Sequence, residues 1–394
     1  MGKLEARDLV ALVRSAFPRL PGDRALAILA DVPREASHDN GNWAARRRMC
    51  QEWHSALDAS RGEVPLEGVR LVAYPDVGSN NADLPREAVL VEAALPGTAD
   101  RLADAGRKVL FDDVFRDTQI LLAPTEYSTT APLKVAGRKF GFRAATMPGF
   151  GASMIPALRV DYAEVARRVD AIKASLDRAE WADIRFADDE GREYAMRFDL
   201  RHRTAHASSG RFPERGIAGN LPSGEAYIVP YEGERGAPSE TEGLLPVEIG
   251  GELVVFAVKE NRAFEVEGHG AAAGAERDHL RREPAYGNMA ELGFGVLGDF
   301  GLSPVGEILL DEKLGLHVAF GRSEHFGGIV GPGDFSSPSE VVHLDRIYIP
   351  ATQPRLRVPS LILGYPDGSS ERVMEDGAYR IFQGETGFRA SRPR

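Results

Sequence analysis

Hydrophobic residues recur in two rhythms along this chain, and the change from one to the other divides it. Leu4, Leu9, Leu12, Val13 and Phe17 fall near helical spacing, so a first amphipathic helix is expected there. Residues 25–32 form a continuous apolar run ending at Asp31-Val32-Pro33, the texture of a strand buried in a parallel sheet. A helix is expected over 43–57, then strands at 69–74, 88–94 and 120–122. Strands alternating with helices predict an α/β layer with a mainly parallel sheet. Thr146-Met147-Pro148-Gly149-Phe150-Gly151 is rich in turn formers and is expected to be the joint between domains. Its Gly-x-Gly lacks a third glycine and a strand-to-helix setting, so it reads as a turn rather than a nucleotide loop.

Beyond that joint one helix stands out, because Tyr162, Val165, Val169, Ile172 and Leu176 step by three or four. Short strand-like pieces follow at 184–187, 194–200, 226–229, 253–258, 308–310, 318–320, 341–348 and 360–363. Turn residues separate them, which predicts one curved or barrel-like sheet with few helices. The stretch 231–246, rich in Glu, Gly, Pro and Ser, is expected as a surface loop. The expected fold class is α/β, with an N-terminal α/β domain over 1–160 and a β-rich domain over 161–394. No internal repeat is visible.

Composition narrows the function. The 394 residues, 43% hydrophobic and 27% charged, fit a soluble globular protein of two domains. A net charge of -11 argues against nucleic acid as a partner, since Arg46-Arg47-Arg48 is short and lies in a predicted helix. The single cysteine, Cys50, rules out an internal disulfide framework and a Cys-rich zinc site; beside Met49 and Trp53 it reads as a small buried hydrophobe. The first six residues carry charges where a signal peptide is apolar, and Ala6 breaks the myristoylation pattern. Apolar stretches such as 253–258 are too short to span a bilayer. A cytoplasmic protein without membrane partners is expected.

Candidate chemistry gathers in the C-terminal half. His343 and Asp345 are one residue apart in an apolar run, so on a strand both side chains share a face, about 7 Å apart at Cα. Imidazole and carboxylate together suit Zn, Co, Mn or Fe. Glu312 and His317 flank Lys313-Leu314-Gly315-Leu316 between two apolar runs, which predicts strand, turn and strand. Glu225 and Glu291 each sit where a turn meets an apolar segment, and a carboxylate buried there needs a cation or strong donors. Each segment alone is also what a solvated turn or surface pair looks like. No Gly-x-Ser-x-Gly elbow or His-Glu-x-x-His helix occurs. His38, His54 and His279 read as solvated, His269 as loop, and His202 and His206 as candidates to line a substrate pocket.

Taken in order, these segments become more specific. Asn220-Leu221-Pro222-Ser223-Gly224-Glu225, Glu291-Leu292-Gly293-Phe294-Gly295, Asp311-Glu312-Lys313-Leu314-Gly315-Leu316-His317 before Val318-Ala319-Phe320-Gly321, and His343-Leu344-Asp345 together resemble the aminopeptidase T family of metallopeptidases. The resemblance runs from about residue 162 to about 348. It implies metal ligation by Glu225, Glu291, Glu312, His317, His343 and Asp345. Such a set suits two adjacent divalent ions (Zn, Co or Mn) with a bridging carboxylate better than one zinc. It implies a small peptide or amide substrate, Glu225 or Glu291 as general base, and a homodimer.

One position departs from the family. Its tyrosine seven residues after the motif histidine is Glu324 here, and His325 is the candidate to take over that role. An ionised glutamate cannot donate a hydrogen bond to a developing oxyanion. Two alternatives follow. His317, His343 and Asp345 also form the set of a two-histidine, one-carboxylate iron site, as in ring-cleaving dioxygenases; a group cleaving dihydroxypyridine resembles the peptidase family. A binding module that keeps an ancestral site is the other.

Overall fold

The computed structural model describes residues 3–382, which gather into two compact units. One unit holds the described chain up to Ala166 together with Gly210–Ser223; the other holds Arg167–Ser209 and the described chain from Gly224 on. The division falls inside the helix Tyr162–Leu176, not at the turn-rich 146–151 passage. The later return of Gly210–Ser223 differs from a single division near residue 160. Its cause is a three-residue strand, Ala218–Asn220, which pairs in parallel with Arg143–Thr146.

The first unit is built on a seven-stranded sheet. In spatial order its strands are Ala218–Asn220, Arg143–Thr146, Ile120–Ala123, Ala25–Val32, Gly68–Pro75, Glu87–Val91 and Gly106–Leu110. The first five pair in parallel and the last two antiparallel. Every residue of Ala25–Val32 is buried, as a strand covered on both faces requires. The helix Gly41–Ala59 starts at Asn40, whose side chain accepts from the Trp43 amide, and Thr130–Phe140 stops at left-handed Gly141. Cys50 lies inside this helix; burial pushes its thiol up to about 12, so it packs as a small hydrophobe. Arg46 and Arg47 are buried and paired with Glu126 and Asp39, which makes the arginine run structural. His54 is half-buried against the Val69 carbonyl rather than solvated.

The second unit holds two antiparallel sheets where one curved sheet was expected. The larger runs Arg262–Glu267, Glu252–Lys259, Glu242–Ile249, Glu193–Asp199, Trp181–Asp188, Leu356–Gly364, Ser370–Glu375 and Ala378–Tyr379. The 231–246 stretch is a surface loop only over 234–238, since Tyr231, Ser239 and Thr241 are buried and Glu242–Ile249 is a strand. Residues 308–310 open a short helix, Ile308–Asp311, instead of a strand; the Asp311 carboxylate accepts from the amides of Val305 and Gly306 and holds the turn. Three apolar residues are too few to tell the two apart. The helix Ala271–Arg282 carries His279, which stacks on Tyr286 with ring centres 4.0 Å apart.

The smaller sheet carries the candidate chemistry. Its strands are β1 (His206–Ser208), β2 (Glu225–Ile228), β3 (Met289–Gly295), β4 (Leu316–Gly321) and β5 (His343–Ile347), neighbours in that same order. One face is apolar and buried, with Ala226, Ile228, Leu292, Phe294, Val318 and Phe320 in the core. Among the described residues no helix is long and apolar enough to cross a membrane.

Candidate metal centre

The opposite face of the β1–β5 sheet holds the acids and imidazoles. Alternation puts Glu225 and Tyr227 of β2 on one side, with Glu291, Gly293 and Gly295 of β3, His317 and Ala319 of β4, and His343 and Asp345 of β5. Cross-strand register agrees: Tyr227, Gly293, His317 and Ile347 lie in one row, and Glu291, Ala319 and Asp345 in another. A bulge between Met289 and Glu291 sets this up. Met289 pairs with Phe320 on the core face, and the extra residue turns Glu291 to the other face opposite Ala319.

Glycine supplies the room. A Cβ on Gly293 would stand 1.9 Å from the His317 Nε2, so only glycine lets the imidazole lie across β3. Both ligand-type histidines are fixed from behind. His317 Nδ1 is 3.1 Å from the Gly315 carbonyl and His343 Nδ1 is 2.8 Å from the Arg322 carbonyl. A carbonyl only accepts, so each Nδ1 carries the proton and each Nε2 faces the acids.

Glu291 joins the two histidines. Its Oε1 is 3.2 Å from His317 Nε2 and its Oε2 is 3.3 Å from His343 Nε2. Glu225 Oε2 approaches His317 Nε2 at 3.6 Å, and Asp345 Oδ1 approaches His343 Nε2 at 3.7 Å. Two overlapping groups result, Glu225–Glu291–His317 and Glu291–His343–Asp345, each with ligand atoms within 4.8 Å of one another. Either group could hold a metal ion. Glu312, the sixth candidate, stands apart from both groups. It contacts the ammonium of Lys313, which also contacts Glu225 and is almost wholly buried.

The electrostatics are those of a site short of positive charge. Burial and the acids of Glu312 and Glu291 push Glu225 up to about 7 against the pull of Lys313. Burial, then Glu312, pushes Asp345 up to about 6. Burial opposes charge on the imidazoles, but Glu291 outweighs it and lifts His317 to about 10 and His343 to about 9. Glu291 is buried yet held far below the usual carboxylate range by those same two histidines. Glu225 Oε2 is buried with no hydrogen-bond partner. An orphaned carboxylate oxygen beside two pinned imidazoles and a second acid fits a divalent cation.

The remaining expected residues fall nearby or elsewhere. His325 lies tilted against Phe326 with ring centres 3.9 Å apart and stands edge-on to His343 at 5.3 Å. Burial and the neighbouring His343 push it down to about 4, so it is neutral at physiological pH. Glu324 is turned away into a two-bond pair with Arg322. His206 stacks on Tyr227 at 5.2 Å, whereas His202 packs edge-on against Tyr231. Lys313, Gly293 and Tyr227 escaped the sequence reading. Each lies within two residues of a singled-out position, and period-two alternation from Glu225 points directly at Tyr227.

Solved structures share this fold, two of them enzymes by name. One is 2,5-dihydroxypyridine dioxygenase from Pseudomonas putida, with a TM-score of 0.56 at 15% identity over 95% of this chain and 96% of that chain. The other is wild-type AmpT from Thermus thermophilus, with a TM-score of 0.51 at 16% identity over 95% of this chain and 99% of that chain. At such identities the likeness is one of fold. No family model matches the chain, and no curated protein matches it.

Proposed function

We propose that this chain is a metal-dependent hydrolase of the aminopeptidase type, which holds two divalent cations and removes N-terminal residues from small peptides or cleaves a related amide. The observation that carries the reading is Glu291. Its two oxygens address two different imidazoles, so that one carboxylate would serve both groups of ligands. In this reading Glu225, Glu291 and His317 hold one cation, and Glu291, His343 and Asp345 the other. Bound there, the ions supply Lewis acidity and an activated water.

Glu225 is the general base. Its Oε2 faces the site without a hydrogen-bond partner, while Lys313 holds its other oxygen, which suits taking a proton from water and returning it to the departing amine nitrogen. Lys313 neutralises Glu225 and Glu312 in part and holds Glu225 in place. His325, neutral and beside His343, is within this reading a group available to the substrate. The fold shared with AmpT supports this reading. A cytoplasmic homodimer belongs to it through the resemblance of the motifs.

One observation favours a second reading. The Lys313 ammonium already neutralises part of the Glu225 side, which leaves His317, His343 and Asp345 as a set for a single iron, and a dioxygenase shares the fold. Metal analysis with activity assays separates the two. About two Zn, Co or Mn per chain, with release of p-nitroaniline from aminoacyl-p-nitroanilides, is the expected result. One iron per chain, with oxygen consumed on a dihydroxypyridine, replaces the first reading with the second.

A further inference from the structure

We propose that Tyr227 is a catalytic residue, whose hydroxyl donates a hydrogen bond to the substrate carbonyl oxygen as that oxygen gains charge. This role rests on the hydrolase reading above and names the donor that the reading lacks at position 324.

Its placement comes from the sheet. Tyr227 follows Glu225 by two residues on β2, so the two side chains leave the same face. Across β2 and β3 it pairs with Gly293, and His317 pairs with Gly293 from the far side. With no side chain on Gly293, the phenol and the imidazole have only the bare glycine between them.

Its hydroxyl is unspent. In the same unit Tyr194, Tyr231, Tyr286, Tyr348, Tyr365 and Tyr379 each donate theirs within the protein. Tyr227 makes no hydrogen bond through its hydroxyl among the described residues. Its ring is nevertheless held on two sides, by His206 stacked at 5.2 Å and by Phe326 at 4.8 Å. Those neighbours are themselves anchored, since His206 Nε2 lies 3.0 Å from the Phe326 carbonyl and Arg203 donates to the Gly327 carbonyl at 2.9 Å. A clamped ring with a free donor is preorganised, and donors of that kind act without reorganising during reaction.

The position that resembles the family tyrosine cannot substitute. Glu324 has no proton to give at neutral pH and is committed to Arg322. His325 offers an imidazole on the His343 side, rather than across Gly293 from His317.

The test compares wild type with Tyr227→Phe, which keeps the ring and its stacking and removes only the donor. Three readouts are taken: metal per chain, kcat and KM on a dipeptide, and calorimetric binding of a phosphinic dipeptide that mimics the tetrahedral species. The expected result is unchanged metal content, KM within about threefold, kcat down about 100-fold, and phosphinate affinity reduced by a similar factor. Turnover and phosphinate binding within about twofold of wild type would overturn the role and leave the hydrolase reading intact. Loss of metal from Tyr227→Phe would assign the residue to holding the site and overturn the role. A metal-loaded wild type that neither cleaves the dipeptide nor binds the phosphinate overturns the hydrolase reading, and this role with it.

Discussion

Two buried ionic clusters, one in each unit, show what separates a structural charge from a functional one. In the first unit Asp23 accepts from Arg143 at 2.6 Å, and Arg215 stands 3.6 Å from its other oxygen. Arg143 also donates to the carbonyls of Pro18 and Phe212, so its charge is consumed locally. On and beside the β1–β5 sheet Glu225, Glu291, Glu312 and Asp345 surround one lysine and two imidazoles. Each cluster leaves one buried carboxylate oxygen without a hydrogen-bond donor, Asp23 Oδ1 in the first and Glu225 Oε2 in the second. Asp23 Oδ1 faces the guanidinium of Arg215, whereas Glu225 Oε2 faces an imidazole and a second acid in a group that could hold a metal ion.

The contrast breaks most sharply at Glu291. Replacing the acid shared by both groups, Glu291→Gln, is expected to empty the site and cut turnover roughly a thousandfold, or about 4 kcal/mol of barrier. Metal analysis of the purified variant checks it, and full metal content would dissolve the bridging role. Asp23→Ala should do the reverse. Stranding buried Arg143 is expected to cost about 3–5 kcal/mol in chemical denaturation, while the folded fraction keeps its metal. A variant that loses metal as readily as stability would erase the distinction drawn here.

Gly293→Ala probes the glycine floor. A methyl placed 1.9 Å from His317 Nε2 must displace the ring, so metal affinity is expected to drop about 10- to 100-fold. Overpacking adds roughly 1–3 kcal/mol of instability. Retained affinity would mean that the imidazole does not need to cross the strand.

The pH dependence sharpens the comparison further. Without metal, His317 and His343 are raised to about 10 and 9 in the folded protein, above the ordinary 6.5. Their contribution is complete below about pH 6.5 and is lost as pH rises through 9 to 10, because the folded state holds the extra protons. Chelated protein should therefore lose about 1.4 kcal/mol per pH unit for each such proton across that window. Metal-loaded protein should show a flatter profile, since its ions replace the protons. Urea midpoints from pH 6 to 10 decide it, and a flat curve for the chelated form counts against the arrangement. The smallest effect is expected from Glu324→Gln. Its pair with Arg322 is partly exposed, so stability should change by less than about 1 kcal/mol and kcat by less than about threefold.

Much of this was legible in the chain, for identifiable reasons. The run at 25–32 reads as a strand because every position but Asp31 is apolar, and all eight are buried. The pair His343 and Asp345 reads correctly because a period of two fixes their common face whatever the sheet does. The return of Ala218–Asn220 to the parallel sheet was not legible, since three residues carry no periodicity. The bulge that turns Glu291 toward the site leaves no mark in composition, because it depends on how β3 pairs with β4. Lys313 was overlooked because a lysine in a turn normally reaches solvent; here two acids hold it inside.

The β1–β5 strands follow one another in space as they do in sequence, with Glu225 near the start and Asp345 near the end. A ribosome delivering this chain therefore exposes one lone acid for a long interval before its companions emerge. In the proposed reading the group Glu225–Glu291–His317 is complete once β4 is in place, and the group Glu291–His343–Asp345 only after β5 has left the exit tunnel and paired with β4. Loading of the second ion would thus be a finishing event of biogenesis, and a chain truncated ahead of His343 goes without the second group altogether.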